Sequence, residues 1–209
     1  MSVMDVARPY KAVCPSLDGE VLNVLAGTTR GLTGREIAVL TGRRSHSGVL
    51  AVLNRLAEHG LIERVELNRA FLFSMNREHL AYPAVIALVG IRVVLLDKIQ
   101  RELGAWGLAP VHVSLFGSTA RGDGDTQSDV DLFVVRPIGI DQEDARWRDQ
   151  LAQLEDGVSR WTGNHAAVLE ISEGEIGRLI SEDRPIVSEL RADAIVLAGS
   201  TIPALLGET

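Results

Sequence analysis

Residues 115 to 135 read LFGSTARGDGDTQSDVDLFVV. Gly117-Ser118 closes one apolar run, and after ten intervening residues Asp129-Val130-Asp131 opens a second, Leu132 to Val135. Strand side chains alternate between faces, so Asp129 and Asp131 point the same way while Val130 and Leu132 enter a core. Two carboxylates that close repel unless a cation lies between them. The pair therefore asks for a divalent metal. A Gly-Ser turn leading into a short helix offers backbone N–H groups to an anion. Metal and phosphate together suggest a nucleotide.

Two metals need a third carboxylate on a neighbouring strand, and Ala167-Val168-Leu169-Glu170-Ile171 places an acid within an apolar strand. A buried, unpartnered Glu is costly, so Glu170 there wants a reason. The alternative is an edge strand with Glu170 facing solvent. Asp129, Asp131 and Glu170 around two metals would follow the logic of phosphoryl and nucleotidyl transfer.

The elements that must hold these residues alternate between strand and helix. Strands are expected at 111–116, 130–135 and 166–172, with helices at 141–161, 173–180 and 185–191 and a short apolar segment at 194–197. Pro83 to Leu103 reads as one long apolar helix, a connector, a dimer seam or the first helix of the second domain, and Pro83 marks a boundary.

Ahead of it, Leu17 to Thr28 has apolar residues at helical spacing. Thr33-Gly-Arg-Glu36 is a capping box opening a second helix, and a third runs from about Ser47 to His59. Leu61–Leu67 and Ala70–Ser74, joined at Asn68-Arg69, form a hairpin. Three helices followed by a hairpin make a winged helix-turn-helix, in which the N-terminal end of the third helix enters the major groove. That end carries Arg43, Arg44, Ser45, His46 and Ser47, while Arg69 and Arg64 on the wing could touch phosphate. LNRLAEHGLIERVE resembles the recognition helix and first wing strand of MarR-like regulators. Winged helices also serve as protein-docking modules.

The pattern of Gly117-Ser118, ten residues, then Asp129-x-Asp131 resembles the signature of the minimal nucleotidyltransferases of the DNA polymerase β superfamily. Glu170 meets that family's apolar–apolar–acid–apolar pattern, and RPIVSELRADAIVLAG is similar to its closing helix and strand. The resemblance spans about residues 105–198. It implies an α+β protein: a winged helix domain (1–82), then a transferase domain (83–209, with 83–104 as connecting helix) having a mixed sheet and helices on one face. It also implies that Ser118, Gly117 and Arg121 hold phosphates, and that Asp129, Asp131 and Glu170 hold Mg²⁺ or Mn²⁺. The reaction implied moves an NMP, most readily AMP from ATP, onto a hydroxyl. Antitoxin members of the family modify a partner toxin of the HEPN class, while others modify small molecules. Few residues follow Glu170, which favours a macromolecular acceptor. The competing expectation is a transcription regulator whose transferase-like domain senses nucleotide without catalysis.

Bulk properties set the surroundings. The 209 residues carry a net charge of −7. Residues 1–82 hold 10 Lys+Arg and 8 Asp+Glu (+2), and the remainder 11 and 20 (−9). This suggests two domains with different partners, double-stranded DNA among them, although +2 is also within noise. The single Cys14 excludes an internal disulfide and, with no signal peptide or bilayer-length apolar run, points to the cytoplasm. A homodimer is a further expectation. The segment 123–134 resembles a calcium loop but has Ser128 at position six and Val134 at position twelve. No P-loop lysine or zinc spacing appears.

Overall fold

The computed structural model describes residues 3–42, 44–68, 70–126, 128–182 and 184–208. Two compact units form: Pro9–Ile91, and the segment ending at Arg8 together with Arg92 onward.

In the first unit, α1 (Leu17–Ala26), α2 (Gly34–Leu40) and α3 (His46–Glu58) precede the hairpin β2 (Ile62–Leu67) and β3 (Ala70–Met75). The expected capping box is present: Thr33 accepts from the Glu36 N–H, and Glu36 accepts from the Thr33 N–H at 2.7 Å. A two-residue strand β1 (Leu32–Thr33) pairs antiparallel with β3, giving the sheet order β1-β3-β2. It is too short to leave a periodic signal in the sequence. Val21, Leu25, Ile37, Val49, Leu53 and Phe73 fill this unit's core.

The boundary and connector differ from expectation. Instead of one helix over 83–103 there are two, α4 (Tyr82–Val89) and α5 (Ile91–Gly104), separated at Gly90. Gly90 returns its N–H to Ile86 and ends α4, as a residue of weak helix propensity can. Val85 of α4 is buried in the first unit's core, so that unit extends past 82. Residues before Pro9 leave it, because Val6 packs in the second unit's core and Met4 exchanges two 3.0 Å hydrogen bonds with the Asn164 side chain.

The second unit holds β4 (His112–Leu115), α6 (Gly117–Arg121), β5 (Val130–Arg136), α7 (Ala145–Thr162), β6 (Ala166–Ser172), α8 (Ile176–Ser181), α9 (Pro185–Asp193), β7 (Ile195–Gly199) and α10 (Ile202–Leu206). The sheet order is β6-β5-β4-β7. β5 and β6 run parallel, while β4 is antiparallel to β5 and β7, so the sheet is mixed as expected.

Helices cover both faces of this sheet, which corrects the expected single covered face. Val130, Leu132 and Val134 of β5 pack with Leu95 and Ile99 of α5 and Trp147 and Leu154 of α7. Phe133 and Val135 pack oppositely with Ile176, Val187, Leu190, Ile202 and Leu206 of α8, α9 and α10. The near-unbroken apolar run of β5 is what a strand covered on both sides requires.

Candidate nucleotide site

Asp129 lies just before β5 and is exposed; Asp131 is the strand's second residue and half-buried. Two-residue alternation puts Asp131 on the face of Phe133 and Val135, beneath α9. The strand is anchored next to the Gly-Ser turn, because the Phe116 N–H donates to the Asp131 carbonyl at 3.0 Å and Thr119 Oγ1 to the Asp129 carbonyl at 2.9 Å.

Gly117 must be glycine. Its φ is +69°, and an added Cβ would stand 2.5 Å from Asp131 Oδ2. The Ser118 carbonyl accepts from the N–H groups of Gly122, Asp123 and Gly124 at 3.0, 3.2 and 3.3 Å, which curls the loop over the turn. Gly124 lets the loop close, since a Cβ there would meet Ser118 Oγ and Ser128 Oγ at 3.2 Å. Arg92 of α5, a residue sequence reasoning did not single out, donates to the Thr119 and Ala120 carbonyls at 2.8 Å each. Its cation meets the carbonyl end of α6, where the helix favours positive charge.

The carboxylates interact as charges. Partial burial, then Asp129 and Glu189 of α9, raise the Asp131 pKa above its ordinary value, and Arg121 opposes them. Arg121 itself lies 3.2 Å from Asp123 and 3.8 Å from Asp193 of α9. Gly117, Ser118, Arg121, Asp129 and Asp131 are thus brought together, with Glu189 and Asp193 as unexpected neighbours. Those two stand one turn apart on α9, a spacing readable only once Val187 and Leu190 define the buried side.

Glu170 is not brought to this site. In the parallel register Asp131 stands beside Ala167, and Glu170 beside Val134 on the opposite face. There Glu170 accepts from Arg136 Nε at 2.7 Å and Trp147 Nε1 at 2.9 Å, with both charged side chains about nine-tenths buried. Arg136 also donates to the Ile140 carbonyl. The buried acid has a partner, and it is structural. On the Asp131 face β6 presents Ala167, Leu169 and Ile171. Among the described residues no group of three His, Cys, Asp or Glu side chains is arranged to hold a metal.

His112 on β4, a titratable side chain within an apolar strand, is fully buried and its Nδ1 meets the Ser200 carbonyl at 2.6 Å, so it is packed and capped. The remaining expectations fall as follows. Ser45 caps α3 by accepting from the Gly48 N–H, with exposed His46 and Ser47 following it. Arg44 is held by Glu20 through two bonds of 2.8 and 2.7 Å. The Arg64 guanidinium lies 4.4 Å from the Phe71 ring centroid. Arg43 and Arg69 lie outside the described residues. No helix among the described residues is long and apolar enough to cross a membrane.

Residues 96–181, from within α5 to the end of α8, match the family model of the nucleotidyltransferase domain. This supports nucleotidyl transfer as the general function of the second unit. Among solved structures, the chain is similar to a candidate nucleotidyltransferase from Sulfolobus solfataricus at 21% identity, covering 52% of this chain and 83% of that one with a TM-score of 0.31. No curated protein matches the chain.

Replacing Glu170 with Ala strands the buried Arg136 and should cost about 3–5 kcal/mol, measured by denaturant unfolding. A loss under about 1 kcal/mol, the range of a surface pair, would show that the Arg136 pair is not structural. Asp131→Asn acts in the other direction. Because the folded pKa is raised, the folded state binds the proton more tightly, so this site favours folding below the ordinary carboxylate range and opposes it above. The variant should therefore melt higher at neutral pH, with the gain shrinking as the pH falls into the ordinary carboxylate range. A lower melting temperature at neutral pH would contradict that sign.

Proposed function

We propose that the second unit is a divalent-metal-dependent nucleotidyltransferase moving an adenylyl group from ATP to a hydroxyl on a macromolecular acceptor. The observation that carries this reading is the placement of Asp129 and Asp131 against the Gly117-Ser118 turn, inside a segment that matches the nucleotidyltransferase domain. Their carboxylates fit a Mg²⁺ or Mn²⁺ ion, because their mutual repulsion is the cost such an ion relieves. When bound, the ion would neutralise charge on the transferring phosphate. Gly117, Ser118 and Arg121 would receive the outer phosphates, and the loop held by the Ser118 carbonyl keeps that turn formed before ligand arrives.

The first unit is read as a winged helix, supported by its element order and its β1-β3-β2 sheet. Its α3 would take the recognition position, with Arg44, Ser45, His46 and Ser47 at the end facing double-stranded DNA and Arg64 on the wing. Arg44 is more than half exposed although its partner Glu20 is largely buried, so part of its guanidinium still faces solvent, where a phosphate could meet it. Joined to a transferase, this makes an antitoxin-like regulator whose acceptor would be a protein such as a HEPN-class toxin.

One observation favours a second reading, a regulator that senses nucleotide without transfer. The β6 position beside Asp131 is Ala167, so β5 and the residue before it bring two carboxylates to the site and β6 adds none. Asp129→Asn combined with Asp131→Asn separates the possibilities. The transferase reading predicts that label transfer from [α-³²P]ATP falls by at least about 100-fold. Unchanged transfer would remove these residues from the site. If the wild type binds ATP but releases no pyrophosphate with any acceptor, the sensor reading stands.

A further inference from the structure

The β6 residues beside Asp131 lead into a cavity that the proposed site does not use. Ala167 is the neighbour of Asp131, and Leu169 and Ile171 follow on the same face. At about 3.3 Å per residue, Leu169 stands roughly 7 Å beyond Ala167. There a cavity of about 310 Å³ opens between β6, α8 and the start of α9, with Leu169, Ile171, Leu179 and Ile186 as its apolar lining. Leu169 is 40% exposed, a large apolar side chain turned to open space on an edge strand.

The cavity's charged groups cancel. Arg178 bonds Glu175 at 2.9 Å and Arg184 bonds Glu182 at 3.0 Å, so its two cations each face an anion. A polyanionic ligand would find no net positive field there, although phosphate-rich strands depend on one. A neutral ligand with an apolar body finds a fitting surface.

The stereochemistry of transfer says which ligand this is. β4, and the Gly117-Ser118 turn that follows it, lie on one side of β5; β6 lies on the other. In nucleotidyl transfer the acceptor oxygen forms a bond to the α-phosphorus as the bond to pyrophosphate breaks, and the hydroxyl proton passes to solvent. Attacking and leaving oxygens lie roughly in line on opposite sides of phosphorus. With the outer phosphates at Gly117-Ser118 and the triphosphate lying across β5, the acceptor oxygen would come from the β6 side.

We propose that this cavity seats the reacting group of the acceptor, a neutral hydroxyl on an apolar body carried by a protein and not by a nucleic-acid strand. The proposal rests on the transferase reading. Ala167, beside Asp131, is the smallest of the three β6 side chains on that face and so obstructs an approach from the cavity least.

The test uses the full chain and N-acetyl-tyrosinamide, a neutral hydroxyl on an apolar ring, with N-acetyl-serinamide and a short oligoribonucleotide as contrasts. Saturation-transfer NMR is recorded with and without a non-hydrolysable ATP analogue and Mg²⁺. The ring protons should take up saturation, the serinamide little, and the oligonucleotide should not compete. Leu169→Arg, at an exposed position, and Ile186→Trp, which fills the cavity, should each weaken the tyrosinamide signal by about tenfold while ATP affinity stays within about twofold. Absence of ring saturation, or displacement by the oligonucleotide, would overturn the proposal. So would a tenfold loss of ATP affinity in both variants, which would make the cavity the nucleobase site. ATP binding is titrated separately, so a wild type that fails to bind it counts against the transferase reading and not against the cavity.

Discussion

Burial of β5 on both faces is the constraint from which the rest of the second unit follows. Every residue of the strand except Asp131 is buried, with Val130, Leu132 and Val134 committed to one core and Phe133 and Val135 to the other. A one-residue slip would exchange the two sets and drive Asp131 into the α5–α7 core without a partner. The same alternation, passed through the parallel register, assigns Ala167 to the Asp131 face and Glu170 to the opposite one. Site and scaffold are therefore separated by the thickness of one sheet.

The two faces treat charge differently. On the scaffold face Glu170 is neutralised by Arg136 and hydrogen-bonded by Trp147, a closed arrangement whose members need one another. On the site face Asp131 keeps company with Asp129 and Glu189, with Arg121 as the opposing charge, and its charged form is disfavoured. Unrelieved like charges beside a turn that only glycine can make are a local cost to folding. Such costs persist where a ligand compensates them.

Much of this is legible in the sequence. The apolar run around Asp129-x-Asp131, the capping box at Thr33, the hairpin halves and the strand at 166–172 each carry a local signal, and the structure realises them. Glu170 shows where such signals stop. An acid within an apolar strand announces a partner, but strand period alone cannot say on which face of a two-sided sheet that partner lies. Gly90 was equally visible and equally ambiguous, since a helix can absorb a glycine or end at it. β1 is too short for periodicity, and Glu189 gains its meaning only when α9 is laid over the sheet. Arg92 belongs to the same class. Its contacts reach across 27 residues to the Thr119 carbonyl, which no sequence window reports.

On the proposed reading, the charge that binds ligand in the second unit is that of Asp129 and Asp131, whereas Glu170 is held in the scaffold by Arg136 and Trp147. Crystals grown with Mn²⁺ and a non-hydrolysable ATP analogue, measured at the manganese absorption edge, test it most directly. An anomalous peak flanked by the Asp129 and Asp131 carboxylates, with Glu170 still bonded to Arg136 and Trp147, is the expected result. A manganese peak ligated by Glu170, or nucleotide bound with no peak at the two aspartates, would contradict it.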